Sequence, residues 1–174
     1  MIATERLVLR EMVESDWPAL HAIVSLPEVV RYQTEDAFDE EATRATISLA
    51  IDGAAAEPRL LFDLAVTLDG AMIGRVGMRR GEDVRTASLW FEIAPLQHGR
   101  GYGAEAARAF LGYAFETVGL HRVSADCDPR NAASARVMEK IGMRREAHLV
   151  QNMFIKGEWC DSLVFAMLAS EWRR

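Results

Sequence analysis

The chain has 174 residues, half of them hydrophobic and 26% charged, a composition that suits one globular domain spanning 1–174 and excludes a disordered one. Its formal net charge of −6 argues against wrapping nucleic acid, so no DNA partner is expected. Two cysteines, Cys127 and Cys160, make no disulfide framework, and MIATERLVLR at the N-terminus has no long apolar run. Neither a signal peptide nor a membrane span is therefore expected, and the expected location is the cytoplasm.

In chain order, residues 6–10 alternate as a first strand. Ser15 or Asp16 can cap a helix with Trp17, Leu20, Ile23 and Val24 on its apolar stripe, ended by Pro27. An irregular connection, VRYQTEDAF, leads to a second helix that Asp39 can cap and Gly53 stops. Residues 60–68 and 72–78 read as strands joined by the hairpin turn Asp69-Gly70. After a turn at 81–83, an apolar run from Ala87 to Ala94 is the next strand, so this middle region reads as an antiparallel meander. A helix follows up to Gly119, then a strand at 122–127, turn residues at 128–131, and a helix at 132–141 stopped by Gly142. Strands at 144–150 and 159–168, with a turn at Lys156-Gly157, lead to a short tail at 168–172. The expected fold class is α/β, a mixed sheet with helices on both faces.

The most informative stretch is PLQHGRGYGAEAA, residues 95–107, between the strand at 87–94 and a helix. Gly99, Gly101 and Gly103 remove side chains from the turn, so backbone amides can converge on an anion at a helix N-terminus. Steric need alone can also place glycines there. The turn lacks the Lys-Ser/Thr pair of a nucleotide-hydrolysing P-loop. The preceding hairpin, and the lack of a ribose-binding carboxylate after a second parallel strand, argue against a dinucleotide fold. A ligand that brings its own pyrophosphate, held without cleavage, suits this turn.

Three segments together resemble the GNAT superfamily of acetyl-CoA-dependent N-acetyltransferases: HGRGYG before AEAARAFLGYAF, then HRVSADCDPRNAASARVMEKIGM, then FIKGEWCDSLVFAMLASEW. Within it the chain is similar to the ribosomal-protein N-terminal-alanine acetyltransferases, a branch whose look-alikes also act on small amines such as aminoglycosides. The resemblance implies a mostly antiparallel sheet in which two parallel strands splay apart around acetyl-CoA. It also implies an amine acceptor, either a peptide N-terminus or a small molecule, and it is compatible with a homodimer. By resemblance, His98, Gly99, Arg100, Gly101, Tyr102 and Gly103 form the pyrophosphate turn, with His98 where relatives carry Gln or Arg. Asn131 and Ser134 match an Asn-x-x-Ser motif near the pantetheine arm and thiol, although each also suits a plain role at a helix start.

Acetyl transfer needs a neutral amine, a polarised thioester and a proton for the leaving thiolate. Glu92, a lone carboxylate in an apolar strand, is either the base or acceptor-amine ligand, or half of a salt bridge. His121 and His148 are further proton acceptors, with structural roles as the alternative. Met138 stands where many relatives carry a thiolate-protonating tyrosine. Ser134, one turn earlier, is the remaining group that can hydrogen-bond the sulfur. A backbone amide at Ile93 or Ala94 is expected to polarise the carbonyl. No ligand spacing among the four histidines suggests a metal, and Cys127 lacks the partner a nucleophile needs. Trp17, Tyr32, Phe38 and Trp159, with the acidic residues between Glu28 and Glu41, are candidates for an acceptor pocket that attracts cations. A non-catalytic acyl-CoA-binding module is the competing reading.

Overall fold

Two apolar runs joined by Asp69-Gly70 make the centre of the sheet. The computed structural model describes residues 1–172, and in it β3 (Leu61–Leu68) and β4 (Ala71–Arg80) pair antiparallel around this turn. Asp69 and Gly70 have φ of 49° and 82°, the twist a two-residue hairpin connection requires. Antiparallel pairing extends through β2 (Leu7–Glu11) to β1 (Ile2–Ala3) on one side. On the other side come β5 (Thr86–Ile93), β6 (Arg122–Cys127), β8 (Glu158–Leu168) and, at the edge, β7 (Arg144–Ile155). β5 and β6 run parallel and pair only over residues 86–88 and 122–124 before they part. The mostly antiparallel sheet with splayed parallel strands is therefore present.

Helices cover both faces. α1 (Trp17–Val24) and α3 (Glu40–Ala55) pack over β2 to β4 through Leu20, Val24, Ile47, Ala50 and Ala65. α4 (Tyr102–Glu116) and α5 (Ala132–Lys140) cover the opposite face, where Phe110, Leu111, Met138, Val123 and Phe165 form the larger core. Three boundaries differ from expectation. Pro27 opens a one-turn helix, α2 (Pro27–Val30), because proline at the first helical position lacks only an N–H that would be unpaired anyway. α3 runs through Gly53 to Ala55, and the glycine lets Leu61 pack close, 3.0 Å from where a Cβ would stand. β7 continues past Val150 because an irregularity between Leu149 and Met153 absorbs Gln151 at φ 48°.

Register sorts the side chains that matter. Ala65 packs under α1 and α3, and it is paired across the sheet with Arg75, which is paired with Glu92. The next row on that face is Asp63, Gly77 and Trp90, and the next is Leu61, Arg79 and Ser88, with Ser124 opposite Ser88. At Gly77 the Trp90 indole lies flat across the strand. A Cβ there would be 2.4 Å from the ring and 2.6 Å from the Phe62 carbonyl. One face of three adjacent strands thus brings together two carboxylates, a guanidinium and an indole.

Candidate active site

Where β5 and β6 part, a cleft of about 1140 Å3 opens within the sheet. The glycine turn forms one end. Gly99 and Gly101 have φ of 76° and 84°, so both need glycine's left-handed freedom, and Gly101 is the N-cap of α4. The amides of Tyr102, Gly103 and Ala104 have no partner within the helix, and all three residues line the cleft. Arg136 and Lys140, one turn apart on α5, face the same space, and a Cβ on Gly101 would stand 3.9 Å from Lys140 Nζ. Bare amides at a positive helix end, with two cations beside them, make an anion site.

The other resemblance-derived residues separate into three kinds. Asn131 caps α5, its Oδ1 accepting from the Ser134 amide at 3.2 Å, which leaves its amide NH2 facing the cleft. The Ser134 hydroxyl makes no hydrogen bond among the described residues and lines the cleft one turn before buried Met138. His98 Nε2 bonds the Ile93 carbonyl at 2.7 Å, so its ring braces the strand end, and Arg100 lies outside the cleft wall with its carbonyl bound by Arg6. The Ala94 amide donates to Ile73 at 2.8 Å and is not free to polarise a carbonyl. Alternation along an antiparallel pair then turns the amides of Phe91 and Ile93 away from β4, toward the gap.

Glu92 sits deep in the cleft wall, 9% exposed. Its Oε2 accepts from Arg75 Nε at 2.5 Å and its Oε1 from Gln33 Nε2 at 2.6 Å. Arg75 also reaches Asp63 Oδ2 at 3.3 Å, while Asp63 Oδ1 is buried without a hydrogen-bond partner. Burial pushes the Asp63 pKa up to about 6, against the pull of Arg75 and with a further push from Glu92; the Trp90 indole beside it opposes the rise. The cluster carries two acids against one cation, so it makes its end of the cleft electronegative. Sequence reading singled out Glu92 and missed Asp63, Arg75 and Gln33.

The remaining candidates fall outside. His121 and His148 are exposed and do not line the cleft; His148 Nε2 pairs with Asp161 at 2.7 Å. Cys127 does line it, but burial, then the charges of Asp126 and Asp128, push its thiol up to about 11, which keeps it protonated and inert. Tyr32 and Phe38 shape the wall, whereas Trp17 packs against the smaller core and Trp159 stands 60% exposed against Phe154. Among the described residues no cluster of His, Cys, Asp and Glu could hold a metal ion.

Residues 6–144 match the acetyltransferase (GNAT) domain family. The chain belongs to the GNAT family. It is 35% identical over 172 residues to the uncharacterized N-acetyltransferase YnaD of Bacillus subtilis, covering 98% of each chain. The crystal structure of a GNAT-family acetyltransferase from Bacillus anthracis superposes with a TM-score of 0.88 at 33% identity, over 98% of this chain and 99% of that one. The narrower likeness is partial. The ribosomal protein uS5-alanine N-acetyltransferase of Escherichia coli is 27% identical over 84 residues, 48% of this chain and 43% of that protein. The GNAT fold is that of an acetyl-CoA-dependent acetyltransferase, and the anion site at the glycine turn fits a pyrophosphate-bearing cosubstrate. No helix among the described residues is long and apolar enough to cross a membrane.

Proposed function

We propose that this GNAT enzyme transfers an acetyl group directly from acetyl-CoA to the primary amine of a cationic acceptor, both bound in the one cleft. The observation that carries the acceptor class is the excess of acids at one end of the cleft, where Glu28, Glu35, Asp63 and Glu92 line the wall against Arg75 and Arg79. Glu92 serves there as a ligand for the incoming ammonium, held rigid by Arg75 and Gln33. The pyrophosphate lies on the amides of Gly101 to Ala104 with Arg136 and Lys140 beside it. The Ile93 amide polarises the thioester carbonyl, and the Ser134 hydroxyl hydrogen-bonds the leaving sulfur. A thiolate with a pKa near 8.5 needs little more. Asn131 offers its NH2 to the amide-rich arm.

A peptide N-terminus is the acceptor favoured by the partial likeness to the uS5-alanine enzyme. A small polycationic amine is favoured by the density of carboxylates along the wall. A panel of Ala- and Ser-initiated peptides, aminoglycosides and polyamines, assayed with labelled acetyl-CoA, separates the two. Binding of acetyl-CoA with no turnover of any amine would instead favour the acyl-CoA-binding module.

The turn's part is tested by Gly101→Val. A β-branched residue at φ 84° costs about 1–3 kcal/mol, and relief of that strain would turn the amides off the anion, so acetyl-CoA affinity should fall roughly 10- to 100-fold. Calorimetric titration reads this. An unchanged affinity would place the pyrophosphate elsewhere.

A further inference from the structure

We propose that Asp126 takes the proton from the acceptor amine. The assignment rests on the acetyl-transfer reading above. Asp126 lies on β6 just beyond the last residue paired with β5, on the face that Ser124 shares with Ser88, Trp90 and Glu92. By register it stands level with Trp90 across the gap, where the two strands no longer touch. Its neighbours Ala125 and Cys127 point the other way, into the core under α4 and α5.

Three observations separate Asp126 from Glu92. First, no hydrogen bond or ion pair among the described residues engages its carboxylate, whereas both oxygens of Glu92 are occupied. Protonating Glu92 would also strip Arg75 of its closer counter-charge in a buried site. Second, Asp126 opens onto the main cleft and onto a side pocket of about 240 Å3, whose wall also includes Ser124, Asn152, Met153 and Ser162. An acceptor can therefore reach it with its remaining bulk housed alongside. Third, Asp126 is exposed to the cleft, yet the walls around its carboxylate partly desolvate it and push its pKa up, the direction a base needs. Other charged and titratable groups lining the cleft are Cys127 and Asp128 on its own segment, Glu92 from β5, Arg75 and Arg79 from β4, Asp63 from β3, Arg136 and Lys140 from α5, Glu28 and Glu35 near α2, and Asp161, paired with His148, from the β7–β8 hairpin.

Asp126 takes one proton from the bound ammonium and releases it to solvent at the cleft mouth. The freed nitrogen lone pair forms the N–C bond to the acetyl carbon, and the C–S bond breaks with its electron pair on sulfur. The second amine proton ends on that sulfur by way of the Ser134 hydroxyl, so one proton is released per amide formed.

The test compares wild type, Asp126→Asn and Glu92→Gln with the best amine of the panel, reading kcat/KM from pH 6 to 9 and acetyl-CoA affinity by calorimetry. Asp126→Asn should bind acetyl-CoA within about twofold of wild type and lose roughly 10²-fold in rate at pH 7. Below the acceptor amine's own pKa its residual rate should climb about tenfold per pH unit, following the free amine, more steeply than the wild type over the same range. An Asp126→Asn rate close to wild type, a loss equal at every pH, or that slope appearing in Glu92→Gln instead would overturn the assignment. Should Asp126→Asn fail to bind acetyl-CoA, Asp126→Ser is read in its place. An active wild type with an unaffected variant sinks Asp126 alone. A wild type that binds acetyl-CoA and acetylates no amine sinks the acetyl-transfer reading itself.

Discussion

Replacing Arg75 with Met should destabilise the fold by about 3–5 kcal/mol at pH 8, the usual consequence of removing one side of a buried ion pair. The Arg75 side chain is 12% exposed and lies between the buried side chains of Glu92 and Asp63. Met fills the volume but leaves two carboxylates facing each other across β4 with no counter-charge. Asp63, already raised to about 6 by burial, sheds its charge as pH falls, so the loss should shrink at pH 5. Urea unfolding at the two pH values reads both quantities. A loss below about 1 kcal/mol at pH 8 would mean that the cluster is far wetter than its burial implies.

Asp63→Asn should act in the opposite direction. The Asp63 carboxyl is raised to about 6 in the fold, against roughly 3.9 in an unfolded chain. The native state therefore binds more protons than the unfolded state between those values. The stability tied to the protonated form is complete below about pH 4 and is lost as pH rises through about 6, a decline of about 3 kcal/mol. Because Asp63, Arg75 and Glu92 interact closely, the titration step belongs to the cluster. Asn cannot ionise, so the variant's stability relative to wild type should grow from pH 4 to 7 and then level off. The net gain at pH 8 is about 1–2 kcal/mol, since the amide's own unpaired atoms offset part of it. A difference that is constant with pH would show that Asp63 does not titrate in this range.

These two residues mark how far the sequence could be read. The antiparallel meander and the glycine turn were legible because local chemistry dictates them. Asp69-Gly70 admits a tight hairpin, and three alternating glycines before an apolar helical stripe admit little besides a bare helix start. The Asn-x-x-Ser segment named its helix, and the helix-start alternative weighed for Asn131 is present as a cap. The Asp63–Arg75–Glu92 cluster is a product of register. Each is a charge flanked by apolar residues in its strand, and only the pairing of β3, β4 and β5 places them together. That pattern of opposite charges on both arms of the Asp69-Gly70 hairpin was the available signal. Ala94 was misjudged because strand alternation, invisible without a paired neighbour, decides which amides face the gap. Arg136 and Lys140 repeat at helical spacing on α5, yet nothing in one helix reveals that this face meets the glycine turn.

The central claim is that one cleft holds the acetyl donor and a cationic amine together and passes the acetyl group without an acyl-enzyme. A single-turnover experiment with acetyl-labelled CoA tests it directly, following label on protein and on amine from the first sampling time. Label should move to the amine with one CoA released per amide, and none should be retained on the protein, with or without acceptor. Label found on the protein before the amine is added, at Cys127 or elsewhere, would contradict it.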